Sequence, residues 1–249
     1  MSALNTYILR IADDSLILGQ RLSELCGHGP AIEEDIALTN VALDLIGQAT
    51  SLYEYAAEIQ NEGKTSDDLA FLRLEHQYLN TLLVEQPNGD FGMTIVRQWL
   101  FDTFRLPFYE ALQQSKDAQI AGIAEKALKE TRYHWRHSSE WVIRLGDGTE
   151  ESHYRVQEAL NFLFKYVDEL FFMDDIDKEM IEKGIGVDLE SLRPAFNERL
   201  KHVLDASTLS MPAYEWKLKG GRVGRHTEHL GHILTELQYM QRAYPNLQW

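Results

Sequence analysis

Proline and cysteine are scarce in this chain, and long apolar runs are missing. With 6 prolines in 249 residues, helices can run far without interruption, because each proline removes a helix hydrogen bond and clashes with the preceding turn. Cys26 is the one cysteine. An intrachain disulfide is therefore excluded, a thiolate metal cluster cannot be assembled, and the residue is expected to act as a small apolar side chain. No apolar stretch approaches the roughly 20 residues that cross a bilayer. The opening MSALNTYILRIADDSL has neither the basic start nor the apolar block of a signal peptide, which places the protein in the cytoplasm and away from membranes. Basic residues are also few. The 24 Lys and Arg stand against 39 Asp and Glu, for a net charge of −15, and such a surface repels phosphates, so nucleic acid is not an expected partner.

What the sequence does have is helical periodicity. Apolar residues recur at spacings of three and four along most of the chain, without the alternation of a half-buried strand, so the expected class is all-α. A first helix is predicted from about Asn5 to Cys26, ending at Gly27-His28-Gly29-Pro30. The second, about Ile32 to Ile59, carries apolar residues round most of its circumference (Ile36, Leu38, Val41, Leu43, Leu45, Ile46) and is expected to be buried on several sides. A third, capped at Ser66, is predicted to end near Glu85. A fourth runs from about Phe91 to Gln114 with Pro107 as a kink or break, a fifth from Asp117 to Leu145, and a sixth from Glu151 to Met173, with a short helix just after it. Later come a helix near Leu189 to Leu204, an extended stretch from Ser207 to Trp216 and a last helix from Thr227 to Ala243. Long helices joined by short turns make an antiparallel bundle, read here as one domain over residues 1–249.

A bundle of this kind invites a search for a di-iron centre, which needs a Glu from each of two helices and a Glu-x-x-His from each of two others. That spacing occurs once, as Glu150-Glu151-Ser152-His153 at a helix start, where it reads as a terminal carboxylate and a surface histidine. The second helix has a polar stripe, Asn40, Asp44, Gln48 and Ser51, but Gly47 stands three residues after Asp44, and glycine cannot bind a metal. Asp102 lies among aromatics in the fourth helix. In the fifth, Glu130 is followed by Tyr133 at the three-residue spacing, with His134 one position beyond. Asp44, Asp102, Glu130 and His134 are thus degenerate ligand positions, and no metal and no catalytic residue is assigned; whichever carboxylates lie inside must be protonated, paired with Arg or Lys, or hydrogen-bonded. The alternative is an atypical metal site built from those same four residues.

Two further groups stand out. His226, His229 and His232 are read as interface or surface hydrogen-bonding residues. Lys217, Lys219, Arg222 and Arg225 surround Gly220 and Gly221, a basic loop ahead of a helix start. It is either a solvated charged loop or a contact for an anion, an acidic partner face or the phosphates of a coenzyme A ester.

Four blocks carry a family resemblance: IALTNVALDLIGQA from Ile36 to Ala49, LVEQPNGDF from Leu83 to Phe91, KETRYH from Lys129 to His134, and HTEHLG from His226 to Gly231, with a likeness that extends to the closing Gln248-Trp249. Together they resemble the family of structural C subunits of the bacterial phenylacetyl-CoA epoxidase, also called ring 1,2-phenylacetyl-CoA oxygenase. The resemblance implies a ferritin-like antiparallel bundle with additional C-terminal helices. It implies a non-catalytic structural subunit in aerobic phenylacetate degradation. Its partners in that family are the catalytic subunit, which holds the di-iron cofactor, a further small subunit, and the reductase. The aromatics Trp99, Phe101, Phe104, Phe108 and Tyr109, or the long second helix, are the candidate contact faces.

Overall fold

The structure is a computed structural model that describes residues 2–213 and 217–245. Trp216, the end of the expected extended stretch, and the closing Gln248-Trp249 lie outside the described residues. Nine α-helices occur among the described residues, and no strand: α1 (Ala3–Ser23), α2 (Ile32–Gln60), α3 (Ser66–Phe71), α4 (Phe91–Leu112), α5 (Ala118–Gly146), α6 (Glu150–Leu163), α7 (Asp175–Glu182), α8 (Arg193–Ser207) and α9 (Glu228–Ala243). The all-α expectation holds, in keeping with a ferritin-like bundle. The chain divides into two compact units, one of residues 1–86 with 220–249, the other of residues 87–219.

In the first unit α1 and α2 lie antiparallel. Asn5 donates to the carbonyl of Ala56 at 2.8 Å, Tyr53 to Asp13 at 2.6 Å, and Gly19 comes against Ala42 and Ile46, so rising numbers on one helix meet falling numbers on the other. Ser2 caps α1 by accepting from the N–H of Asn5, and Asp35 Oδ1 accepts from Gly27 and Gly29, which fastens the turn between the helices. The buried helix is α1, inside on all sides from Tyr7 to Gly19. α2 was expected in that role. It instead buries Leu38, Val41, Ala42, Leu45, Ala49 and Leu52 and leaves Ile32, Ile36 and Leu43 exposed. Cys26, expected as an apolar filler, is exposed.

The expected third helix is cut short. Thr65, not Ser66, caps α3 in a capping box with Asp68, and after Phe71 the chain leaves the helix, with a single 3-10 turn at Glu75–Gln77. The reason lies in where its backbone goes: Leu79 and Thr81 donate their N–H groups to the side chains of Asp13 and Asp14. A helix there would have consumed those donors internally.

In the second unit α4 and α5 are antiparallel, with Phe91 against Trp141 at 5.1 Å between ring centroids and Asp102 against Ser138 at 2.9 Å. Asp90 and Asp117 cap them. α4 is buried on all sides and runs through Pro107 without a break. Trp99, Phe101, Phe104, Phe108 and Tyr109 are all buried, which removes them as candidate contact faces; they are core. The expected sixth helix changes to 3-10 geometry at Phe164–Phe171, and α7 follows as the expected short helix.

Candidate functional site

α1 carries two carboxylates into the interior of the first unit. Asp13 and Asp14 are fully buried side by side, a placement that ionised carboxylates tolerate only with full compensation. Asp13 receives both ends of the Arg73 guanidinium, the Tyr53 hydroxyl and the Leu79 N–H at 2.7 Å. Burial would pull the guanidinium down, and the Asp13 charge outweighs it, so Arg73 is held above its usual range. Burial and the neighbouring Asp13 push the Tyr53 phenol well up, and burial pushes Tyr78 to about 12, so both remain neutral donors. Asp14 accepts from the N–H and hydroxyl of Thr81 and from Arg222 Nη2 at 2.7 Å.

A third buried carboxylate, Glu85, closes the network. It accepts from Asn80 at 3.0 Å and from the Thr227 N–H at 2.7 Å, and His226 Nδ1 lies 3.0 Å away. The other imidazole nitrogen sits 2.8 Å from the carbonyl of Tyr78. Both neighbours can only accept, so the doubly protonated ring is the form that satisfies both. Burial lowers the imidazole pKa, but the hydrogen bond and charge of Glu85 prevail and raise it. The His226 side chain is thus interior, not at the surface as expected; the sequence spacing gave no hint of Glu85.

The basic loop does not act as one feature. Lys217 and Lys219 belong to the second unit, Arg222 and Arg225 to the first. Arg222 turns inward, donating to Asp14 and to the carbonyls of Arg10 and Leu79 at 2.8 and 3.0 Å; an unneutralised buried Asp14 outcompetes any solvent-borne anion for it. Arg225 is exposed. Lys217 and Lys219 both reach Asp168, at 3.0 and 2.9 Å.

Of the four degenerate ligand positions, Asp44 belongs to one unit and Asp102, Glu130 and His134 to the other. Asp44 is half-buried on α2 in the first unit. In the second unit Asp102 is buried and accepts from Gln98 at 2.7 Å and Ser138 at 2.9 Å. Burial raises its pKa to about 7, with the charge of nearby His134 holding it back. Glu130 is half-buried on α5 and pairs loosely with Lys126 at 3.8 Å. His134 is buried on α5 close to Asp102. His153, of the single Glu-x-x-His spacing, points its Nδ1 at the carbonyl of Gly146, 2.7 Å away, at the start of α6. Among the described residues, no group of three or more His, Cys, Asp or Glu is placed to hold a metal ion.

Asp13, Asp14, Glu85 and Asp102 each meet a cation, a hydroxyl or an N–H from a distant part of their own unit, a polar interior built for cohesion. Sequence comparison places this architecture. Residues 1–249 match the family described as "Phenylacetic acid catabolic protein". The chain belongs to the phenylacetic acid catabolic protein family. It is 47% identical over 249 residues, 100% of both chains, to the C subunit of the 1,2-phenylacetyl-CoA epoxidase of Escherichia coli (strain K12). The resemblance read from the four sequence blocks thus extends along the whole length. Among the described residues of this family member, no helix is long and apolar enough to cross a membrane.

Proposed function

We propose that this chain is the non-catalytic structural subunit of a multicomponent phenylacetyl-CoA epoxidase, pairing in the cytoplasm with the di-iron catalytic subunit, which it stabilises. The observation that carries the reading is the end-to-end correspondence with the E. coli protein. The interior supports it. Asp13, Asp14, Glu85 and Asp102 are all engaged by protein donors, as suits a rigid support whose partner supplies the metal chemistry. A single ferritin-like domain over residues 1–249, the small further subunit, the reductase as another partner, and no dealings with nucleic acid or membrane complete the reading.

α2 offers the contact face for the catalytic subunit. Ile32, Ile36 and Leu43 are 72%, 56% and 61% exposed and recur at helical spacing, with Gly47 on the same side and open space where its Cβ would be. Carboxylates of Glu33, Asp44, Glu54 and Glu58 flank them, so a complementary surface is apolar with a basic rim. Arg225 is retained as a separate contact for an acidic partner or anion.

Co-expression with the catalytic subunit tests the reading. Assembly and epoxidation are expected to require this chain, and the iron to follow the partner. Two tightly held irons in this chain, purified alone from iron-rich medium, would establish the alternative, a ferritin-like oxygenase with its own atypical site at Asp44, Asp102, Glu130 and His134.

A further inference from the structure

In the second unit, the 3-10 segment Phe164–Phe171 repeats every three residues, which sets Phe164 and Val167 above one another, and Phe171 closes the segment. Phe196 of α8 meets Phe171 edge-on at 5.2 Å between ring centroids. Together with Asp168, Arg193, Asn197 and Lys217 they line a pocket of about 160 Å³. That is close to the volume of an apolar cavity that accepts one benzene ring, roughly 150 Å³, and edge-to-face aromatic walls favour an aromatic guest over an aliphatic one.

Its mouth is cationic, against the grain of a chain whose net charge is −15. Arg193, Lys217 and Lys219 all converge on Asp168, at 3.1, 3.0 and 2.9 Å. Glu190 also pairs with Arg193, so among the described residues three cations face two carboxylates and one positive charge is left over. Arg193 is immobilised between Glu190, Asp168 and the Phe171 ring, 4.2 Å from its centroid. The lysines are differently placed. Each ammonium has three N–H donors and gives one to Asp168, while the Leu218 N–H to the Lys165 carbonyl, 2.9 Å, pins the backbone between them beside the cavity. Burial tends to raise the Asp168 pKa, yet the two lysines draw it down to about 2, so this carboxylate stays charged and keeps the ammoniums at the mouth.

We propose that this cavity binds a single-ring aromatic carboxylate, with its ring between Phe164, Phe171 and Phe196 and its carboxylate on Lys217 and Lys219. A monoanion matches the one uncompensated charge, and a ring fills the aromatic-walled space behind it.

Calorimetric titration of the full chain with phenylacetate, and with its neutral analogue phenylacetamide, tests the assignment. Phenylacetate is expected to bind one per chain, phenylacetamide about tenfold more weakly, a difference of about 1.4 kcal/mol. The double variant K217A/K219A removes exposed side chains and keeps the fold, and is expected to lose about tenfold in phenylacetate affinity. Val167→Phe fills the cavity and is expected to abolish binding at an unchanged melting temperature; should that variant fail to fold, the lysine variant decides. Absence of saturable phenylacetate binding, equal affinity for acid and amide, or unchanged affinity in K217A/K219A overturns the proposal. None of these outcomes bears on assembly with the catalytic subunit, which is scored separately by co-purification.

Discussion

Arg222 Nη2 lies 2.7 Å from Asp14 Oδ2, a buried ion pair between residues 208 positions apart in the sequence. The same guanidinium holds the carbonyls of Arg10 and Leu79, so one side chain gathers three separate stretches of the first unit. Deleting one member of such a pair strands a charge in a dry interior, which costs about 3–5 kcal/mol, whereas replacing both by apolar groups of similar size costs far less. Asp14→Ala and Arg222→Ala should each lower the urea midpoint sharply. The double replacement D14L/R222M should recover most of the loss, and a double variant as unstable as the sum of the singles would refute the pairing.

The loop that delivers Arg222 is equally exacting. A Cβ on Gly221 would lie 2.0 Å from the carbonyl oxygen of Asn80, and backbone cannot move aside as a side-chain tip can. Gly221→Ala should therefore destabilise the chain by about 3 kcal/mol, read from chemical denaturation.

Asp102 makes stability depend on pH in a direction opposite to the usual carboxylate. Its folded pKa is raised from the ordinary 3.8 to about 7 by burial, so the folded chain holds a proton that the unfolded chain releases between those values. The stabilisation is complete below about pH 4 and disappears as pH rises through about 7. His226, raised by Glu85, loses its contribution in the same sense as pH climbs through its folded value. Between pH 5 and 8 the wild type should lose roughly 2–3 kcal/mol relative to Asp102→Asn, measured by denaturant titration at each pH. Parallel curves for the two proteins would show that Asp102 is ionised throughout.

α2 separates folding from assembly. Ile36→Lys and Leu43→Lys alter exposed side chains and should leave the stability of the isolated chain within about 0.5 kcal/mol while abolishing co-purification with the catalytic subunit. Gly47→Ala, whose added Cβ meets nothing within 4 Å, should stabilise the isolated chain by about 0.5–1 kcal/mol through helix propensity. Normal assembly of both lysine variants would move the contact to another face.

Helix positions were legible because periodicity and caps are local. α4 begins at Phe91 as predicted, α5 at Ala118 and α6 at Glu150 each one residue from the prediction, and α2 spans Ile32–Gln60 against a predicted Ile32 to Ile59, while the one cap named, Ser66, proved to be Thr65. The third helix was not legible past Phe71, since residues 72–86 are helix-compatible in isolation and were drawn out by Asp13 and Asp14 on another helix. Which long helix is buried was also hidden. α1 carries Asp13 and Asp14 in its midst and reads as amphipathic, yet is interior, while α2 is apolar round most of its circumference and keeps one face outward. The broken ligand pattern could be read directly, because a glycine at position 47 or a tyrosine at 133 needs no structure to disqualify it. The Glu85–His226 and Asp14–Arg222 pairs could not, because nothing in the spacing of distant residues announces that they meet. An adjacent Asp-Asp pair within an apolar helix was the available clue.

The Asp14–Arg222 bond also sets an order of events during synthesis. The ribosome releases α1, α2 and the stretch through Gln86 long before Gly220 leaves the tunnel, so the early helices wait with two acidic groups unmatched and their own unit incomplete. Contacts this remote slow folding and prolong exposure of apolar surface, and a chain interrupted before its last thirty or so residues would leave the first unit unfinished. Quality control would thus see a truncated copy as unfolded at its beginning, although the missing part is its end.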